Sequence, residues 1–242
     1  MFLYRSSRYF LSDLKAHVIV GLPLIGTRLI HAIAVFVNMI LIARLGQSSV
    51  AVSALIFGTL GMLTLIMWSL LYSIAVIVGR FFGESDALQI GHTLQAGFFL
   101  SILIAIPFSI VIYHGSYILF LFHQNNSLIQ NTVLYFHVFA FGVLPSLWII
   151  CFDEFVIGIL RPRLVIIWAL LSSPLNIILG YILLFGKFGM PNFGIAGVAY
   201  ANVITNWLLF FAILFYFAVK SDFQKYIILK GSSKCFAYIK KI

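Results

Sequence analysis

The residues able to do chemistry in this chain are polar side chains inside long apolar segments. In the first segment, Arg28, His31 and Asn38 are separated by three and seven residues. With Val35 this spacing places them on one stripe of a helix. Polar side chains at membrane depth are costly, so each is a candidate for an ion or substrate path. The stripe can equally serve to hydrogen-bond a neighbouring helix, and both interpretations stay open.

A second candidate is the adjacent carboxylate pair of the fourth segment. Asp153 and Glu154 precede Arg161 by seven to eight residues, which is roughly 11 Å along a helix. Because a buried charge normally finds a partner, we expect Arg28 to form an ion pair with Asp153 or Glu154. Such a pair serves either ion transport or structure alone.

Two further segments carry small or polar residues at helical spacing. Their members are Ser172, Asn176 and Gly180 in the fifth segment, and Asn202, Thr205 and Asn206 in the sixth. Three helices with a polar stripe each predict a polar interior, which is more typical of a translocation pathway than of an inert anchor. The side chains predicted to line it are Asn38, Asn176, His31, Asn202 and, as a weaker candidate, Asp153.

Enzymatic, metal-binding and nucleic-acid-binding functions find little support. The sequence has no Gly-x-Ser-x-Gly elbow, no His-Glu-x-x-His and no Asp-rich metal motif. Its two cysteines, Cys151 and Cys235, belong to no spaced Cys/His set. We therefore expect no catalytic residue, no metal site and no cofactor. The net charge of +9 is concentrated beside apolar segments, which favours lipid headgroups over nucleic acid.

The elements that must position these residues are membrane-spanning helices. The chain is 63% hydrophobic and only 9% charged, with a mean hydropathy of +1.12, whereas a soluble domain carries about 25% charged residues. We predict an all-α integral membrane protein, with residues 1–242 forming a single six-helix bundle. The spans lie near 17–43, 50–79, 94–122, 132–158, 164–185 and 193–219, and a basic tail follows at 220–242. The polar run His123–Asn131 supplies the turn between the third and fourth spans.

Orientation follows from the Lys and Arg residues in the connections. The segments before span one, between spans two and three, between spans four and five, and after span six hold twelve. The alternate connections hold only Arg44 and Lys187. Basic residues favour the cytoplasmic side, so we predict that both termini are cytoplasmic and that the protein is a multi-pass protein of the cell's inner (plasma) membrane.

Several motifs together resemble one family. The stretch Arg161–Leu208, with its loop Gly186–Pro191 (GKFGMP) followed by Gly-x-x-Gly-Val-Ala, resembles the fifth and sixth helices of the multidrug and toxic-compound extrusion (MATE) transporters. The segment Pro23–Gly46 resembles their opening helix, and Arg80–Ser85 (RFFGES) resembles the short loop after their second helix. The chain thus resembles the N-terminal six-helix lobe of such a transporter.

The resemblance implies a secondary exporter that expels small organic cations or drugs by antiport with sodium or protons. Three departures stand out. Family members are about twice as long, with two six-helix lobes. The acid that serves cation coupling falls at Asn38, which is neutral, and of two expected asparagines Asn176 matches the first while Gly180 replaces the second. Asn38 can ligate a cation through its oxygen but cannot exchange a proton.

The departures leave rival interpretations open. A half-size or truncated exporter would need membrane lipids around it and a partner, either a second copy in a homodimer or a separately encoded second lobe. The chain could instead be a non-transporting remnant or a membrane interaction partner. A lipid or polysaccharide flippase-like exporter is a further alternative, which more charged residues in the interior would favour.

Overall fold

The computed structural model describes residues 2–121, 126–224 and 226, and these residues form helices without any strand. The long helices are α1 (Phe2–Ala43), α2 (Gln47–Leu71), α4 (Ala87–Tyr113), α7 (Val143–Gly158), α8 (Arg163–Phe185) and α9 (Ala196–Val219). The shorter ones are α3 (Ser73–Gly83), α5 (Gly115–Leu121), α6 (Asn126–Ala140) and α10 (Ser221–Gln224). The predicted all-α fold is confirmed.

Five stretches of the described residues are long and apolar enough to cross a membrane: Gly21–Ala43, Gln47–Gly83, Ala87–Tyr113, Arg163–Phe185 and Ala196–Val219. A sixth results if Thr132–Ala140 and Val143–Gly158 together form one span bent by 50°. The bend has a local cause, because Pro145 has no N–H to donate to the carbonyl of Phe141 four residues earlier. The chain is a multi-pass membrane protein.

The connections differ in detail from those predicted. The helix α1 runs unbroken from Phe2, well before residue 17, and the third span starts at Ala87. The turn predicted at His123–Asn131 falls partly outside the described residues, and from Asn126 onward the chain is already helical. Asn and Ser favour the first positions of a helix, so Asn126 and Ser127 begin α6 instead of prolonging the turn.

The helices pack as two groups around an aromatic interior. In one group α8 lies against α1 and α9, and in the other α3, α4 and α7 pack on one another, with α9 contacting α7. Buried rings from α7 and α9 join the groups, with Phe152 and Phe155 packed against Phe217 at ring-centroid distances of 4.7 and 5.6 Å. The side chains that face out of this bundle are largely Leu, Ile, Val and Phe.

Helices α8 and α9 approach each other closely. A Cβ atom added at Gly197 would lie 2.6 Å from the backbone of Leu183, so only glycine fits. By contrast, Gly58 and Gly61 on α2 have no neighbour within 4 Å. Gly186, in the left-handed conformation at φ 66°, ends α8 and starts the GKFGMP loop that returns the chain to this contact.

Candidate functional site

The two asparagines predicted on α1 and α8 meet in the interior. Asn38 Nδ2 donates a hydrogen bond of 3.0 Å to Asn176 Oδ1. Asn38 is only 6% exposed, and its own Oδ1 is buried with no hydrogen-bond donor reaching it from the described residues. A buried amide oxygen without a donor is uncommon in folded proteins. The pair therefore both links two helices and presents one free ligand atom.

That free oxygen points at Gly180. A Cβ added at Gly180 would lie 3.0 Å from Asn38 Oδ1 and 4.0 Å from the Cβ of Ala201 on α9. Asn38 Oδ1 thus packs closely on Gly180, where a larger side chain would crowd it. Because Ala201 of α9 adjoins the same position, helices α1, α8 and α9 meet here.

Two more buried oxygens lie on the same helices. Ser173 Oγ and Thr205 Oγ1 are buried, and no described residue pairs with either. Ser173 precedes Asn176 by three residues on α8, and Thr205 follows Ala201 by one turn on α9. Since Gly197 faces Leu183 and Ala201 faces Gly180, the antiparallel register places Thr205 level with Asn176. We call Asn38, Asn176, Gly180, Ser173 and Thr205 the amide cluster.

The chemistry of the amide cluster is that of neutral oxygen ligands. Amide and hydroxyl oxygens suit a hard cation such as sodium, which takes its ligands from oxygen atoms. None of these groups exchanges a proton in the physiological range. The cluster can therefore hold a metal cation weakly, as an uncharged site, but it cannot carry a proton.

The acidic pair lies on another helix. Glu154 on α7 is buried at 8% exposure, and Asp153 Oδ1 is buried with no hydrogen-bond partner in the described chain. Arg28 acts electrostatically on both carboxylates. Its guanidinium nevertheless contacts Tyr72, where Nη2 donates to the hydroxyl at 3.2 Å.

The ion pair predicted for Arg28 is therefore not formed. The two ion pairs within 4 Å among the described residues are Arg80–Glu84 and Arg161–Asp222, both exposed. The guanidinium of Arg28 is instead hydrogen-bonded to Tyr72, at the break between α2 and α3. Arg28 lies more than 4 Å from either carboxylate.

The other predicted site residues make no hydrogen bond to the amide cluster in the described part of the chain. Asn202 is half-buried on α9 and accepts a hydrogen bond of 3.1 Å from Asn206 Nδ2. His31 is exposed, as is Arg28, whereas Asn38 on the same helix is buried. The predicted stripe on α1 is thus divided, because α8 covers the side of α1 that carries Asn38 and leaves the rest open.

Sequence reasoning placed Thr205 on the polar stripe of the sixth segment but not among the lining residues, and it gave Ser173 and Tyr72 no site role. Thr205 and Ser173 had a signal, since each lies three residues from a predicted asparagine. Tyr72 had none, because its role comes from the break between α2 and α3.

The comparisons with known proteins identify the family. Residues 23–182 match the family model MatE. The chain belongs to the MatE family. The match includes the second half of α1, with Asn38, and most of α8, with Asn176 and Gly180. The family resemblance predicted from the sequence motifs is confirmed.

Relatives in this family are about twice as long. The chain is 27% identical over 220 residues to a probable multidrug resistance protein NorM of Agrobacterium fabrum, covering 89% of the chain and 46% of the relative. It is 26% identical over 191 residues to the multidrug resistance protein NorM of Burkholderia vietnamiensis, covering 78% of the chain and 41% of that protein. The chain thus spans about half the length of these MatE relatives.

Solved structures show the same fold over the same half. The crystal structure of the eukaryotic MATE transporter AtDTX14 matches with a TM-score of 0.85 at 18% identity, covering 96% of this chain and 51% of that one. An outward-facing multidrug resistance MATE family transporter matches at 0.79 and 18% identity, covering 94% and 51%. The fold is therefore that of one lobe, about half, of a MATE transporter.

Proposed function

We propose that this protein is one half of a MATE-type secondary efflux transporter, which exports small organic cations or drugs in exchange for an inward-moving cation. The observation that carries the proposal is the Asn38–Asn176 hydrogen bond with the free Asn38 Oδ1 beside Gly180. A polar site between three helices is what a membrane protein needs to bind a cation at depth. Membership of the MatE family and the names of the relatives support the same function.

The proposed coupling ion at the amide cluster is sodium. Asn38 and Asn176 offer oxygen ligands without a titrating group, so a proton has no acceptor there. Sodium binding to an uncharged site is weaker than to a carboxylate, because the Coulomb attraction of a full charge is missing. The proposed exporter therefore depends on a high external sodium concentration at this site.

The proposed transport unit contains two such halves. The relatives and solved structures are about twice the length of this chain, which supports a second lobe in the transport unit. Parallel repeats keep one orientation in the bilayer, as two copies with the same predicted topology would. The basic residues on the connections support cytoplasmic termini.

The test combines dye export with assembly. Cells lacking their own exporters would express the wild-type chain, the Asn38→Ala variant or the Met39→Ala variant. Ethidium efflux would be measured in these cells, and cross-linking in native membranes would report on assembly. Met39 is the control, since it adjoins Asn38 but is 41% exposed. We expect sodium-dependent efflux by the wild type and Met39→Ala, reduced at least about tenfold in Asn38→Ala, and a cross-linked pair.

Two results would contradict the proposal. Abundant, correctly inserted protein without any efflux, alone or with a second lobe, would favour the non-transporting alternative. A monomer that exports ethidium unaided would contradict the two-half arrangement.

A further inference from the structure

A second site lies on α7, apart from the amide cluster. Asp153 and Glu154 are adjacent, and in the described part of the chain neither has a cation within 4 Å or a hydrogen-bond donor on its carboxylate. Glu154 is more than nine-tenths buried, and Asp153 Oδ1 is fully buried. Of the six acidic residues in the sequence, these are the two inside a membrane-length helix pair. Such a pair requires an explanation, because a bare carboxylate is strongly disfavoured away from water.

A bound monovalent cation lowers this cost. A proton or a sodium ion on a carboxylate oxygen reduces the negative charge of the pair by one without any contact from a basic residue. In the structure Arg28 is hydrogen-bonded to Tyr72 and not to the carboxylates, which is the arrangement expected when a cation occupies the acidic pair. A vacant pair would instead attract the guanidinium of Arg28, the positive charge that already acts on both acids.

A hydrogen bond from Arg28 connects the proposed exchange of partners to the second span. Arg28 donates to the hydroxyl of Tyr72, which stands between the end of α2 at Leu71 and the start of α3 at Ser73. If Arg28 moves to the carboxylates, it must leave Tyr72. Loss of the cation would therefore break the hydrogen bond between α1 and Tyr72.

The ionisable groups around the pair come from several helices. Arg28 on α1 acts on His31, Asp153 and Glu154, while both acids act on the thiol of Cys151. Cys151 lies 3.0 Å from the hydroxyl of Ser101 on α4. Among these groups Arg28 is the permanent positive charge, so it is the natural competitor of a bound cation.

We propose that Asp153 and Glu154 form a binding site for one monovalent cation, a proton or sodium, and that Arg28 replaces the cation when it leaves. The site is separate from the amide cluster, because Asn38 follows Arg28 by ten residues, roughly 15 Å along α1. The claim that this cation drives export rests on the proposed function. The claim that the cation binds at Asp153 and Glu154 does not.

Infrared spectroscopy of the purified full chain in nanodiscs can detect the site directly. A protonated carboxyl group absorbs at a higher frequency in a dry site than in water, and only two of the chain's acids lie in spans. Wild type, Asp153→Asn, Glu154→Gln and the control Glu84→Gln would be titrated with pH, first in choline chloride and then in sodium chloride. Glu84 is the matched control because it is an exposed acid paired with Arg80.

We expect a dry carboxyl band that titrates in wild type and Glu84→Gln and is lost or halved in Asp153→Asn and in Glu154→Gln. A band that sodium leaves unchanged identifies the proton as ligand, and a band that sodium depletes identifies a shared site. Identical bands in all four folded proteins, without a sodium effect, would overturn the proposal. Having two isosteric variants keeps the test valid if one fails to fold.

Tyr72→Phe tests the role of Arg28. Without the hydroxyl, Arg28 has no alternative partner and competes better with the cation, so half-occupancy should require roughly threefold more cation. An unchanged midpoint would contradict the exchange of partners. Ethidium efflux by the same proteins separates the two proposals, since cation binding without efflux contradicts only the exporter function, and efflux without the band contradicts only this site.

Discussion

Asn38 and Asn176, 138 residues apart in sequence, are joined by a 3.0 Å hydrogen bond that fixes α1 against α8. The donor is the Nδ2 of Asn38, and the other atom of that amide group, Oδ1, stays free beside Gly180. The same side chain thus has a structural role through its hydrogen bond and a proposed binding role through its oxygen. Changes at Asn38 can separate these roles.

Removing the Asn38 amide should destabilise the bundle modestly. Asn38→Leu leaves Asn176 Oδ1 without its donor, and interhelical hydrogen bonds in membrane proteins contribute about 0.6 to 1.7 kcal/mol. Thermal unfolding in detergent, followed by circular dichroism, should show a lower midpoint than for Met39→Leu, whose site is largely exposed. Equal midpoints would indicate that the hydrogen bond contributes nothing to stability.

Adding a carboxylate at Asn38 should strengthen cation binding. Asn38→Asp keeps the shape of the side chain and places a charge beside Gly180, so the sodium affinity should rise at least about tenfold. Sodium titration of the intrinsic tryptophan fluorescence, with choline chloride as reference, measures this. Asn192→Asp makes the same chemical change in a loop, where the side chain caps the N–H of Gly194. If both variants respond alike, Asn38 is not a cation ligand.

The approach of α8 and α9 should not tolerate a methyl group. In Gly197→Ala the new Cβ would meet the backbone of Leu183 at 2.6 Å, so the helices must separate. Overpacking of this kind costs about 1–3 kcal/mol. Gly58→Ala is the matched control, because a Cβ there meets nothing within 4 Å and alanine favours a helix. A Gly197→Ala protein as stable as Gly58→Ala would show that the two helices are not in close contact.

Cysteine labelling should reveal the predicted topology. Ser85 lies on the exposed connection between α3 and α4, and Met190 lies on the exposed loop after α8. In a Cys235→Ser background, with Cys151 buried, an impermeant maleimide should label Met190→Cys in intact cells and Ser85→Cys in inverted vesicles. Labelling of both from one side would exclude the six-span arrangement.

The helical fold was predictable, since long apolar runs and the polar connections between them reflect the thickness of the bilayer. Asn38 and Asn176 were found because polar residues inside such runs are rare. The partner of Arg28 could not be predicted, because the spacing of the charged residues indicates neither the orientation of α1 nor the break at Tyr72. On the α1 stripe Asn38 is buried, whereas Arg28 and His31 are exposed. This difference depends on where α8 packs, which the sequence of α1 alone does not indicate.

The lack of charge in the amide cluster determines how membrane voltage would act on it. An acidic site is negative when empty and neutral when it holds sodium, so voltage acts on its empty state. The proposed site at the amide cluster is neutral when empty and would carry a full positive charge when occupied. Moving that charge across the membrane field releases or requires about 2.3 kcal/mol per 100 mV. The membrane potential would therefore pull the loaded form inward and leave the return of the empty form unaffected.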